Sequence, residues 1–98
     1  MTRDAQDPVA NLERHSVVFW LREGETLVSC QVSFMGLSDK LEGRRIVTAA
    51  QAMAAFAQHR DEIEAIARKK HSDGRVEPNG SIFVASGDLA AKGWFPPT

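Results

Sequence analysis

Between Thr48 and about His71 the apolar residues Ala49, Ala52, Met53, Phe56, Ile63, Ile66 and Ala67 recur three and four positions apart. On a 3.6-residue wheel that spacing gathers them on one face. A chain with such a segment must supply an apolar surface for that face to meet. Thr48 followed by Gln51 has the form of a capping box, in which each side chain satisfies a backbone donor orphaned by the first turn, so the helix is expected to begin there. At the other end Lys69, Lys70 and His71 bring positive charge to the last turn, where the helix dipole favours it, and Gly74 can take the left-handed conformation that stops a helix. Arg60, Glu64 and Arg68 form a four-apart ladder in which Glu64 precedes Arg68, the favourable order. With Glu62 and Lys69 this ladder reads as the outer, solvated face.

The surface that the helix needs is expected from the strands around it. His15 to Leu21, with Val17, Val18, Phe19 and Trp20, is β-branched and aromatic, and Arg22-Glu23-Gly24-Glu25 supplies a turn. Thr26 to Met35 then alternates, with Val28, Cys30, Val32 and Phe34 on one side and Ser29, Gln31 and Ser33 on the other. Gly36 to Val47 reads as a connector. After the helix, Glu77-Pro78-Asn79-Gly80 is a turn signal and Ser81 to Ala85 a final strand, with Arg75 and Val76 as a short partner ahead of the turn. The fold class expected is α+β in two layers: a small antiparallel sheet, made of an N-terminal β-hairpin plus a C-terminal strand or short hairpin, packed against one long helix. Residues 15–89 form the single domain. Residues 1–14 lack a sustained period and read as a mobile arm, and residues 90–98 as a tail of aromatic residues and proline.

Composition limits what such a domain does. With 98 residues, 43% hydrophobic, 26% charged and a formal net charge of -1, the chain reads as one soluble globular unit with no global field for nucleic acid or anionic lipid. A domain of about a hundred residues buries only roughly 60–70% of its unfolded surface, which favours help from a homodimer. The single Cys30 cannot form an internal disulfide and no apolar leader or span is evident, so a cytoplasmic setting away from the membrane is expected. Cys30 lies on the apolar phase of its strand and reads as a small buried hydrophobe. His15, His59, His71 and Cys30 lack zinc-type spacing, no serine sits in a nucleophile elbow, and Gly24, Gly36 and Gly43 are too scattered for a phosphate loop. No enzyme, metal or cofactor is expected.

The strand around Val17 to Trp20, the alternating strand through Val32 and Phe34 into Gly36 and Leu37, and the helix residues Phe56, His59, Arg60, Ile63, Glu64 and Ala67 resemble the domain of unknown function 1488 family of small bacterial proteins. The resemblance spans roughly Val17 to Leu89. It implies a compact α+β domain with a small sheet on a long helix, in a family with no established reaction, and it offers no catalytic residue to carry over.

Three sets of residues stand out as candidate sites. His59 and Arg60 share the helix half that holds Phe56 and Ile63, so they border a surface expected to be covered. There they form either a paired structural couple or the flank of a small-ligand pocket. Trp94 and Phe95 in the tail, and Trp20 if its strand stays regular and turns it to the wet side, are candidate interaction residues, since aromatics anchor interfaces. Arg68, Lys69, Lys70 and Arg75 are the candidate phosphate contacts for nucleic acid, although acidic residues interrupt them and no aromatic platform interleaves. The function expected first is non-catalytic binding of another protein or of itself. Weak nucleic-acid binding at the basic helix end comes second, and a small-ligand module at His59 and Arg60 third.

Overall fold

The computed structural model describes residues 1–38 and 46–85. In chain order the elements are β1 (Thr2–Arg3), β2 (Val9–Asn11), β3 (Ser16–Glu23), β4 (Thr26–Ser33), α1 (Ala49–Ser72) and β5 (Ile82–Val84). The expected α+β architecture is what the chain adopts: one sheet with a long helix across one of its faces. β3 and β4 form the central hairpin, in register from Ser16↔Ser33 to Glu23↔Thr26. Gly24, at φ 61°, takes the first of its two loop positions, where a positive φ lets the turn follow the twist of the strands.

Two features differ from the sequence expectation. The sheet is mixed, not antiparallel: β5 runs parallel to β4, with Cys30↔Ile82, Gln31↔Phe83 and Val32↔Val84 as partners. The reason is the connection, because a helix of 24 residues carries the chain back along the sheet, and such crossovers join parallel neighbours. Arg75 and Val76 accordingly form no partner strand. The second difference is at the start of the chain, where residues 1–14 supply β1 and β2, both antiparallel to β3. Strands of two and three residues are too short to show a period. Asp4 helps seat them: its N–H donates to the Trp20 carbonyl at 3.1 Å and its carboxylate pairs with Arg22 at 3.0 Å.

Because cross-strand partners share a face, the register sorts the sheet. Val17, Val32 and Val84 form one row, and Phe19, Cys30 and Ile82 the next; all six are fully buried. They meet Ala52, Ala55, Phe56, Ile63, Ile66 and Ala67 of α1, with the Phe19 and Phe56 rings 5.1 Å apart. The capping box at Thr48 forms as expected: Gln51 N–H donates to the threonine hydroxyl at 3.1 Å, and Gln51 Oε1 accepts from the Thr48 and Val47 N–H groups at 3.1 and 2.9 Å. Gly74, at φ 74°, follows the end of the helix.

Candidate functional site

Every cross-strand row that does not face α1 faces the opposite side, and no described element covers it. One row crosses the sheet as Val9, Val18, Gln31 and Phe83; beside it lie Trp20 with Ser29, then Thr2 with Arg22 and Leu27. Val9 is 53% exposed, Leu27 42% and Phe83 37%. The strand does stay regular, and Trp20 stands on this side, half-buried. A sheet with one face packed and one face free normally alternates apolar with polar. Here the free face is itself largely apolar.

Two hollows mark it. Val9, Leu12, Val18 and Trp20 surround one of about 550 Å³ over β2 and β3. The other, about 730 Å³, lies over β4 and β5, with Gln31 and Phe83 in its lining, Arg14 from the β2–β3 turn and Glu77 and Asn79 from the turn before β5. Asn11 borders both. The turns that carry these polar groups are built by short side chains: Asn11 Oδ1 accepts from the N–H groups of Glu13 and Arg14 at 3.1 and 3.2 Å, and Asn79 Oδ1 accepts from the Ser81 N–H at 3.0 Å. Gln31 Oε1 accepts from the Ser16 hydroxyl at 2.9 Å.

The other candidates sit apart from this face. Arg60 donates through Nε to Glu64 at 3.0 Å and its guanidinium lies 5.5 Å from the centre of the Phe56 ring. His59, at a kink where the backbone turns to φ -111°, ψ 16°, places Nδ1 3.2 Å from Glu62. The two neighbours are thus taken up by different carboxylates. Of the basic cluster, Lys69 and Arg75 both pair with Asp73, at 3.3 and 3.4 Å, Lys70 Nζ donates to the Phe83 carbonyl at 2.6 Å, and Arg68 stands 4.0 Å from Glu64. Trp94 and Phe95 lie outside the described residues. Cys30 is buried; burial, with the Glu64 charge adding to it, pushes its thiol up to about 12. Among the described residues no three His, Cys, Asp or Glu side chains gather as metal ligands do, and no described helix is long and apolar enough to cross a membrane.

Glu64 is the residue that the sequence misplaces. Expected on the solvated face, it is 2% exposed, because Arg3 of β1 comes over it and donates to both carboxylate oxygens at 2.9 to 3.3 Å. Burial pushes its carboxyl up, but the hydrogen bonds from Arg3 and Arg60 outweigh that and hold it below its ordinary value. The signal was present in part: Glu64 is two helical turns beyond Phe56 and three residues before Ala67, which puts it on the packed side. Nothing near Arg3 in sequence points to it.

Comparison with known proteins agrees with this fold. The model of a family described as protein of unknown function (DUF1488) matches residues 5–84. A crystal structure of a DUF1488-family protein of unknown function from Shewanella loihica PV-4 superposes with a TM-score of 0.75 at 21% sequence identity, covering 82% of this chain and 87% of that one. No curated protein matches.

Proposed function

The chain belongs to the DUF1488 family of proteins of unknown function, and from that premise we propose that it is a non-catalytic protein-interaction module whose contact surface is the uncovered face of the sheet. The observation that supports this reading is the apolar row across that face, with Val9 and Phe83 at its two ends exposed by 53% and 37%. Contiguous exposed apolar surface of this kind marks interaction sites in soluble proteins, and the hollow at Trp20 is shaped to take an apolar anchor from a partner. A cytoplasmic setting is part of the reading, and the free Cys30 thiol suits a reducing compartment. The nucleic-acid alternative has weaker support, since the cations it needs already have partners within the chain.

The test is site-specific photo-crosslinking in living cells. A photoreactive residue at Phe83 or Val18 is expected to yield a discrete protein adduct, while one at Ala57, exposed on the helix, yields none. Equal labelling from both faces, or none from the sheet, sinks the reading.

A further inference from the structure

We infer that the occupant of the open face is a second copy of this chain, packed sheet on sheet about a two-fold axis that lies between the sheets and runs along the strands, with Arg14 of each copy paired to Glu77 of the other. This inference rests on the interaction reading above and adds the identity of the partner and its orientation.

The argument begins with two charges. Arg14 and Glu77 border the same cleft, one from the β2–β3 turn and one from the turn ahead of β5, so they stand on opposite sides of the sheet. Both are exposed. Among the described residues their only hydrogen bonds run through the main chain: the Arg14 N–H to Asn11, and the Glu77 N–H and carbonyl to Ser81 and Gly80. Most other charges here are spent, as Arg3, Arg22, Arg60, Lys69 and Arg75 all meet carboxylates. A guanidinium and a carboxylate left open on the two margins of an apolar face are complementary to one another across copies.

Symmetry then selects the arrangement. In a closed dimer the same patch serves both copies, so that residue i meets residue j and j meets i. A two-fold axis along the strands exchanges the β2 margin with the β5 margin. It therefore lays Arg14 against Glu77 of the second copy, twice. An axis across the strands instead lays each margin on itself, Arg14 facing Arg14 and Glu77 facing Glu77, and like charges oppose it. The apolar row obeys the same exchange: Val9 and Phe83, its two ends, cover each other, and Val18 of one copy comes over Gln31 of the other. Gln31 tolerates that cover at its oxygen, which Ser16 already satisfies. Two sheets meeting in this way pack about 10 Å apart and place both helices on the outside.

Charge reversal tests it on the full chain by sedimentation equilibrium from micromolar to millimolar concentration. The expected result is a dimer whose dissociation constant rises at least tenfold in Arg14→Glu and in Glu77→Arg, and returns to within threefold of the starting value when both are present. Both sites lie in exposed turns, and circular dichroism melts check that each variant folds. A monomer throughout overturns the inference, as does a dimer indifferent to the reversals or one that the double variant fails to restore. The outcome separates from that of the broader reading: a monomer that still gives a discrete adduct to another protein from position 83 removes only the second copy, whereas a chain with neither dimer nor adduct removes both.

Discussion

Arg3 and Glu64, 61 residues apart in sequence, meet in a two-pronged ion pair at 2.9 and 3.0 Å that joins the first strand to the middle of the helix. Register explains the reach: Arg3 is the cross-strand partner of Leu21, so its side chain points toward α1. Arg60 adds a third bond at 3.0 Å, and a carboxylate almost wholly out of water is thereby satisfied.

Removing that carboxylate should cost stability in a pH-dependent way. Breaking a buried pair costs about 3–5 kcal/mol, and since Arg3 is itself half exposed and regains water, about 2 kcal/mol is expected for Glu64→Gln. The folded carboxyl titrates below its unfolded value, so its contribution is complete above about pH 4.3 and is lost as pH falls through the folded value. Urea unfolding from pH 7 to pH 2.5 should show the wild-type and variant curves converging at the acid end. A difference that stays constant across that range would remove the ion pair as its source.

The parts of the fold legible in the sequence are those where one period runs for many residues. Val28, Cys30 and Val32 alternate, Ala52 to Ala67 recur every three or four positions, and both elements lie within a residue or two of where the pattern puts them. What was not legible depends on partners distant in the chain. Thr2–Arg3 and Val9–Asn11 become strands because β3 has a free margin, and Glu64 becomes buried because Arg3 is delivered onto it. The direction of β5 is likewise a property of the crossover and not of Ile82, Phe83 and Val84. For the candidate face, Trp20 followed from alternation, whereas the cleft between Arg14 and Glu77 required knowing that β2 and β5 flank the central hairpin.

The last strand has an outer edge, and Lys70 closes part of it by donating to the Phe83 carbonyl at 2.6 Å. Charged lysines at sheet edges guard against pairing with other chains. Lys70→Met keeps the aliphatic stem and loses the donor, a change expected to cost about 0.5–1.5 kcal/mol. Hydrogen exchange should locate the loss, with the amides of residues 82–84 exchanging up to about tenfold faster while those of β3 scale only with global stability. Uniform acceleration across the sheet would argue that Lys70 does nothing particular at this edge.

Thr48 and Gln51 satisfy each other's backbone, so their contributions should not add. Thr48→Ala is expected to cost about 1 kcal/mol, a fall in melting temperature of roughly 4–8 °C for a domain of this size. Gln51→Ala should cost less, since water can replace its oxygen at the exposed Val47 and Thr48 amides. The double variant should lie clearly above the sum of the two in stability, because either substitution alone already dismantles the box. Strict additivity in thermal melts would mean that the two bonds act independently.

Cys30 provides a probe of the core from inside. It is fully buried beneath α1, between Phe19 and Ile82 in its row, and its thiol is pushed up to about 12 by burial. Only the thiolate reacts with iodoacetamide. At pH 8 the thiolate fraction of such a group is on the order of one in ten thousand, against roughly a quarter for an ordinary cysteine near 8.5. Labelling should therefore be slow in the folded protein and proceed through opening of the sheet–helix layer. Its rate should rise with urea along the slope of global unfolding. Rapid labelling without denaturant would place the thiol at the surface and overturn the packing assigned to β4.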